Sequence, residues 1–340
     1  MNCVVIPTYR ATATILPVIA AIGPEVGLIV VVDDGCPEGS GLLVAKQSDD
    51  ARVVVLMHDR NRGVGGAFLT GMRYAIERGA DVIIKIDADG QMDPAQVPAL
   101  IRPITSGQAD YVKGNRFFFL TNAASMPGLR WFGNLALSFL VKLSSGYWTV
   151  MDSTNGFIAI HARVADMLDD ERIAKRFFFE SDLLFHLSLI RAKVVEFPMR
   201  ATYGAEVSNL RVSHQIAPFL RGHLRNTLRR ILYRYFLRDL SLASIQLVTG
   251  SMLFGFGLMF GLYHWWSVPA DRLVPTGTIM IAALTLMVGF QLLLSFLNYD
   301  MSSSPREPLH PFLQRPPGEG AATGAAEPSD AAVPMLRQSA

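Results

Sequence analysis

Two long stretches of this chain carry no formal charge. From Leu240 to Ala270, and again from Leu273 to Tyr299, there is no Asp, Glu, Lys or Arg. Each run exceeds the roughly 20 apolar residues that cross a bilayer as a helix, so the pair predicts a transmembrane hairpin over 240–299. A buried helical hairpin in a soluble protein is the alternative. Hydrophobic residues make up 50% of the 340, and they are concentrated in these runs rather than spread evenly.

Positive charge gathers just ahead of the first run. Arg221, Arg225, Arg229, Arg230, Arg234 and Arg238 follow one another with no acid between them. At i, i+4 spacing they form stripes on a helix whose other faces carry Leu220, Leu224, Leu228, Ile231, Leu232 and Phe236. This predicts interfacial helices over 213–239 on an anionic membrane surface, with that side cytoplasmic by the positive-inside rule. A basic helix can also bind nucleic acid, but the adjoining spans favour lipid, and no nucleic-acid partner is expected. Small residues in "GSMLFGFGLMFG" allow close helix packing and leave a homo-oligomer open. The tail over 300–340, rich in Pro, Gly and Ala past "PREPLHPFL", is expected to be cytoplasmic and largely disordered.

The start, "MNCVVIPTYR", enters strand-like sequence at once, with no basic n-region or cleavage site. No signal peptide is expected, so residues 1–212 should form a cytoplasmic domain. Cys3 and Cys36 are too few for a disulfide framework or a zinc site.

Within that domain, apolar β-rich runs recur at "NCVVIP", "LIVVVDD", "RVVVLM", "DVIIKID" and "DYVKG", separated by segments long enough for crossover helices. Continuous apolar strands imply burial on both faces, hence an α/β sandwich around a mainly parallel sheet. Such sheets bind ligands at the carboxyl ends of their strands. Polar clusters fall at those ends: "PTYR", "DDGCPEG", "DADGQ" and "KGNR". From 116 to 212 the pattern loosens, and strands there are not resolved by periodicity.

Asp87, Asp89 and Gln91 alternate directly after the fourth apolar run. They offer oxygen ligands to a hard divalent cation, Mg²⁺ or Mn²⁺, although Asp and Gly also serve ordinary turns. Asp33 and Asp34 end another strand, where they can accept from a base or ribose or simply cap a turn. Gly63, Gly65 and Gly66 precede a helix without matching a dinucleotide fingerprint or a P-loop; backbone approach to a nucleotide and tight packing both remain open. His58, His161, His186 and His310 sit singly, in contexts that favour packing over ligation.

Taken in order, "PTYR", "VVDDG", "NRGVGGA", "DADGQ", "GNR", "RWFGN", "FFFESD" and "YGAEVSNL", followed by the arginine-rich helix and the hairpin, resemble the family-2 inverting glycosyltransferases of GT-A nucleotide-sugar fold. The set is most similar to the polyprenyl-phosphate glycosyltransferases. The resemblance implies transfer of a sugar from a nucleotide diphospho-sugar to a polyprenyl phosphate, undecaprenyl or dolichyl, with a divalent cation. It assigns Pro7, Tyr9, Asp33, Asp34, Asp87, Ala88 and Arg200 to the donor, and Asp87, Asp89 and Gln91 to the metal. Arg116 and Arg130 fall to the acceptor phosphate, which a guanidinium fork suits. Asp89, Glu180 and Asp182 are its catalytic candidates, the latter two as positioning groups, because a lipid phosphate arrives already anionic. Asp152 also matches a family position.

The chain departs from the family at Arg10-Ala11, where an Asn-Glu pair is common, and at Asn209, where lysine is common. The first leaves the nucleotide contact of that glutamate open. Two rivals share the fold: a processive polysaccharide synthase, which would carry a Gln-x-x-Arg-Trp motif absent here, and an inactive membrane adaptor.

Overall fold

The computed structural model describes residues 1–118, 128–152, 154–199, 212–269, 272–313 and 336–337. For 128–132, 134, 212–215 and 336–337 it describes the backbone alone. The chain forms two compact units, Met1–Asn226 with Pro305–Ala340, and Thr227–Ser304.

The first unit is built on strands β1 (Asn2–Thr8), β2 (Leu28–Asp33), β3 (Val53–Met57), β4 (Val82–Lys85), β5 (Tyr111–Asn115), β6 (Ile158–His161), β7 (Val194–Pro198) and β8 (Leu336–Arg337), in the order β7-β5-β6-β4-β1-β2-β3-β8. The expected parallel core is present: β1 pairs parallel with β2 and β4, and β2 with β3. β6 enters antiparallel between β4 and β5, and β7 closes that edge parallel to β5.

Period-2 alternation divides the strands between two cores. Val5, Val30, Val32, Ile83, Ile158 and Ile160 face helices α3 (Val64–Glu77) and, further along the chain, Phe179–Leu189. Val4, Ile6, Ile29, Val31, Ile84 and Ala159 face helices α1 (Ile15–Ala20) and α4 (Val97–Thr105). Burial of both faces explains why these strands read as unbroken apolar runs. The remaining helices of this unit are α2 (Ser40–Gln47), α5 (Gly128–Ser145), α6 (Ala162–Asp166), α7 (Phe179–Leu189) and the first part of α8 (Val212–Leu232).

The segment after the hairpin returns to this unit. Asp110, fully buried before β5, accepts from the backbone N–H groups of Lys193, Leu309 and His310 and pairs with His310 Nδ1 at 2.8 Å. The His310 ring stacks on His161 at 4.2 Å, and Arg163 donates to the Leu313 carbonyl. Residues 314–335, where disorder is expected, lie outside the described residues.

The second unit holds helices α9 (Leu242–Ser267) and α10 (Thr276–Ser302), 26 and 27 residues long and apolar enough to cross a membrane. The small residues of α9 are used within the hairpin. A Cβ on Gly250 would lie 3.0 Å from Leu292 Cβ, and one on Gly257 2.6 Å from Thr285 Oγ1. Two of the arginines expected on the lipid-facing stripe turn inward instead. Arg230 forms a buried bidentate pair with Asp300 at 2.6 and 3.0 Å, and Arg234 donates to Ser303. Tyr235 adds a hydrogen bond to Asp300 at 2.6 Å. Arg221, Arg225, Arg229 and Arg238 stay exposed, beside exposed Leu220, Leu224, Leu228 and Leu232.

Candidate active site

The strand ends carry the polar clusters, and the parallel register sets them side by side. Thr8 pairs with Asp33, and Val5 with Lys85, so β1, β2 and β4 finish on one edge. Asp34 N–H donates to the Thr8 carbonyl, and Thr14 Oγ1 to the Ala88 carbonyl at 2.5 Å, tying the three ends together.

At β2 both carboxylates are buried and bonded to their own chain. Asp33 accepts from Cys36 N at 2.7 Å and Gly41 N at 2.6 Å. Asp34 accepts from Arg62 N and Gly63 N at 2.8 Å each and pairs with His58 at 2.8 Å. His58 in turn meets Thr70 on α3 at 3.0 Å. These acids therefore shape the loops of the edge. At the end of β1, Pro7 and Ala88 are buried, while Tyr9 is 44% exposed with the Arg10 guanidinium 5.4 Å over its ring. Arg10 adopts φ 54°, and its N–H donates to Cys36 Sγ.

The glycines of "NRGVGG" pack helix against helix. Gly63 has φ 90°, and a Cβ on Gly65 would lie 2.5 Å from the Phe179 ring. Phe179, beside Phe68 at 5.6 Å, is thereby seated at the start of α7 and brings Glu180 to the sheet.

Glu180 meets two lysines that no periodic reading of the strands singles out. Lys85 ends β4 and Lys113 lies in β5; both pair in register with Ile158 of the intervening β6, so both side chains lie on the α7 face. Both are 0% exposed. Lys85 Nζ lies 2.5 Å from Asp87 Oδ1, 3.7 Å from Glu180 Oε1 and 3.5 Å from the Gly156 carbonyl, while Lys113 donates to the Asn155 carbonyl. Burial would lower the Lys85 pKa, but the charges of Asp87 and Glu180 outweigh it and hold the ammonium above its ordinary value. Burial pushes Lys113 down to about 8 and raises Glu180, against the pull of both lysines. Gly156 makes room for this row: a Cβ there would lie 2.5 Å from Lys85 Nζ and 2.6 Å from Asp87 Oδ2.

Asp182, two residues on, faces elsewhere. It is 1% exposed and accepts from Ala174 N at 2.7 Å and Asn226 Nδ2 at 2.6 Å. The paired acids of "FFFESD" thus serve two environments, Glu180 the edge and Asp182 the packing of α8. On the far side, Arg116 is gripped by buried Asp152, at 2.8 Å through Nε and 2.9 Å through Nη2. Glu196 accepts from Asp152 N at 3.0 Å and from Asn115 at 2.6 Å, holding that grip in place. Arg130 lies on α5 with only its backbone described, and Arg200 and "YGAEVSNL" lie outside the described residues.

Among the described residues no three His, Cys, Asp or Glu side chains converge as a preformed metal cage. Asp87, Asp89 and Gln91 are half-buried on one turn, with Gln91 N–H donating to Asp89 Oδ1 at 2.9 Å. This donor set fits a hard cation that completes its shell with phosphate and water rather than with protein.

Residues 3–168 match the model of Glycosyl transferase family 2. The chain is 31% identical over 188 residues to a UDP-N-acetylglucosamine–dolichyl-phosphate N-acetylglucosaminyltransferase of Methanococcus voltae, covering 52% of this chain and 74% of that one. It is 30% identical over 203 residues to an undecaprenyl-phosphate mannosyltransferase of Micrococcus luteus, covering 57% and 81%. Glucosyl-3-phosphoglycerate synthase from Mycobacterium tuberculosis, solved with phosphoglyceric acid, shares the fold with a TM-score of 0.51 and 21% identity over 68% of this chain and 79% of that one. The sheet with its strand-edge carboxylates and these relatives converge: the chain belongs to glycosyl transferase family 2.

Proposed function

We propose that this protein is a membrane-bound inverting glycosyltransferase that moves a sugar from a nucleotide diphospho-sugar to a polyprenyl phosphate. The observation that carries the reading is the meeting of Asp87, Asp89 and Glu180 at one strand edge of a chain that also holds two membrane-length helices. The relatives named for dolichyl- and undecaprenyl-phosphate acceptors support the lipid class.

In this reading Tyr9 and the β1 end receive the nucleoside, while Asp87, Asp89 and Gln91 hold Mg²⁺ or Mn²⁺. The cation, when bound, neutralises charge on the leaving diphosphate. Glu180, fixed between buried lysines, orients the donor sugar or the acceptor. Arg116, with its fork set by Asp152, faces the acceptor phosphate. A phosphate oxygen forms the bond to the anomeric carbon as the bond from that carbon to the diphosphate oxygen breaks. The electron pair leaves with the nucleoside diphosphate, and the configuration inverts. The acceptor's last pKa lies near 6, so it needs no strong base. Exposed Arg221, Arg225 and Arg229 with Leu224 and Leu228 support association of α8 with an anionic leaflet in this reading.

Purified protein with Mn²⁺ and a panel of nucleotide sugars should transfer label to polyprenyl phosphate. Absence of transfer across the whole panel would end this reading.

A further inference from the structure

We infer that Lys85 is a positioning residue: its single buried ammonium restrains both Asp87, on the metal side of the site, and Glu180, on the sugar side. The inference rests on the metal reading of Asp87 above and goes beyond it.

A lysine at the end of an apolar strand normally extends its head to water. Here it does not. The Nζ is fully buried, reaches Asp87 Oδ1 at 2.5 Å and Glu180 Oε1 at 3.7 Å, and has the Gly156 carbonyl at 3.5 Å. Burying an ammonium costs several kcal/mol unless anions face it, so the two carboxylates and the lysine hold each other in place. Lys113, buried on the other side of Ile158, adds a second positive charge that acts on Glu180 after that of Lys85. The Gly156 turn leaves no space for the head to move toward β6, since even a methyl group there would collide with Nζ.

The Lys85 charge lies against one oxygen of Asp87, where it competes with any cation bound there. Metal binding in the absence of donor is therefore held weak, and the donor diphosphate is needed to complete the shell. Removing the lysine should strengthen binding of bare metal while releasing Asp87 and Glu180 from their shared anchor. Removal of a lysine with only a packing role would leave bare-metal binding unchanged or weaken it.

The test is Mn²⁺ titration of full-length protein in detergent without nucleotide, read by the EPR signal of the free ion. Lys85→Met should tighten Mn²⁺ about tenfold, the order expected for removing a unit charge close to the ion at a partly exposed site. Glu180→Gln leaves the ammonium wholly to Asp87 and should weaken Mn²⁺ about threefold. Unchanged or weakened binding in Lys85→Met overturns the inference. If circular dichroism shows that Lys85→Met does not fold, Lys85→Gln, which keeps a hydrogen-bonding head without the charge, decides: tighter binding supports the inference, and unchanged or weaker binding overturns it. Wild type that binds no Mn²⁺ removes the metal reading along with the inference. Wild type that binds Mn²⁺ while no variant shifts it removes the inference alone.

Discussion

The Asp182 carboxylate accepts a 2.6 Å hydrogen bond from the Asn226 side-chain amide, joining α7 to α8 in a fully buried contact. His223, one turn earlier on α8, meets Ser144 of α5 at 2.9 Å and packs edge-on against Phe178. The acidic motif therefore has two halves, Asp182 seating α8 and Glu180 facing Lys85 at the strand edge.

Separating those halves gives the first prediction. Asp182→Ala should cost about 1–3 kcal/mol of stability, because it strands the Asn226 amide and the Ala174 N–H in the interior. Glu180→Gln should lower transfer and, with Asp87 still facing the Lys85 ammonium, should cost less stability than Asp182→Ala. Thermal unfolding and transfer rates, measured side by side on both variants, check this. Equal losses of stability would contradict it.

Asp89 should be required for transfer. It is half-buried on the β4 turn, where carboxylate oxygens can reach a cation held against phosphate. Asp89→Ala should reduce the rate by about a hundredfold or more, the scale set by losing one preorganised electrostatic group. Metal-dependent nucleotide binding should fall with it. Retained nucleotide binding in this variant would favour an inactive scaffold.

The Arg230–Asp300 pair is a stability element of the second unit. Breaking a buried pair from one side leaves an uncompensated charge, so Asp300→Leu should cost about 3–5 kcal/mol. The double variant Arg230→Met with Asp300→Leu should recover most of that loss. Unfolding in a fixed detergent measures both.

The returning tail should loosen on acidification. His161 accepts from Arg163 N at 3.1 Å through Nδ1, and His310 stacks on its ring. Burial first, with the charges of His310 and Arg163 adding to it, pushes the His161 pKa down to about 4, against Asp81 and Asp110. Between about 6.5 and 4 the unfolded chain binds a proton that the folded chain refuses, so stability falls as pH drops through that window. Protection factors from hydrogen exchange at residues 309–313, taken relative to the intrinsic rate at each pH, should fall there in wild type, and less so in His161→Phe.

Exposed leucines and arginines on α8 should govern contact with lipid. Leu224→Glu with Leu228→Glu should weaken association with anionic and neutral vesicles alike, whereas Arg225→Gln with Arg229→Gln should weaken it on anionic vesicles alone. Flotation with vesicles of both compositions distinguishes the apolar from the electrostatic part.

Much of this architecture is legible in local pattern. Five of the strands announce themselves as apolar runs because both their faces are covered, and the two spans because they lack charge over membrane length. The "DADGQ" turn is visible because polar groups at the end of a buried strand stand out. β6 and β7 escape notice, since "FIAIH" and "VVEFP" are short and lie in the less regular half of the chain. His58 and His310 likewise look unremarkable until the fold sets them against Asp34 and Asp110.

Sequence alone determined the α/β class, the apolar hairpin and the residue types gathered at the strand ends, because these depend on periodicity and composition over neighbouring positions. Only the tertiary structure decided which acid serves which purpose. Residues two apart on a helix project about 200° from one another, so Glu180 and Asp182 had to face different partners, and which one met the strand edge depended on how α7 lay on the sheet. The antiparallel entry of β6 between β4 and β5 put Lys85 and Lys113 on either side of Ile158. That register joins positions more than 40 residues apart, a distance across which sequence periodicity carries no information.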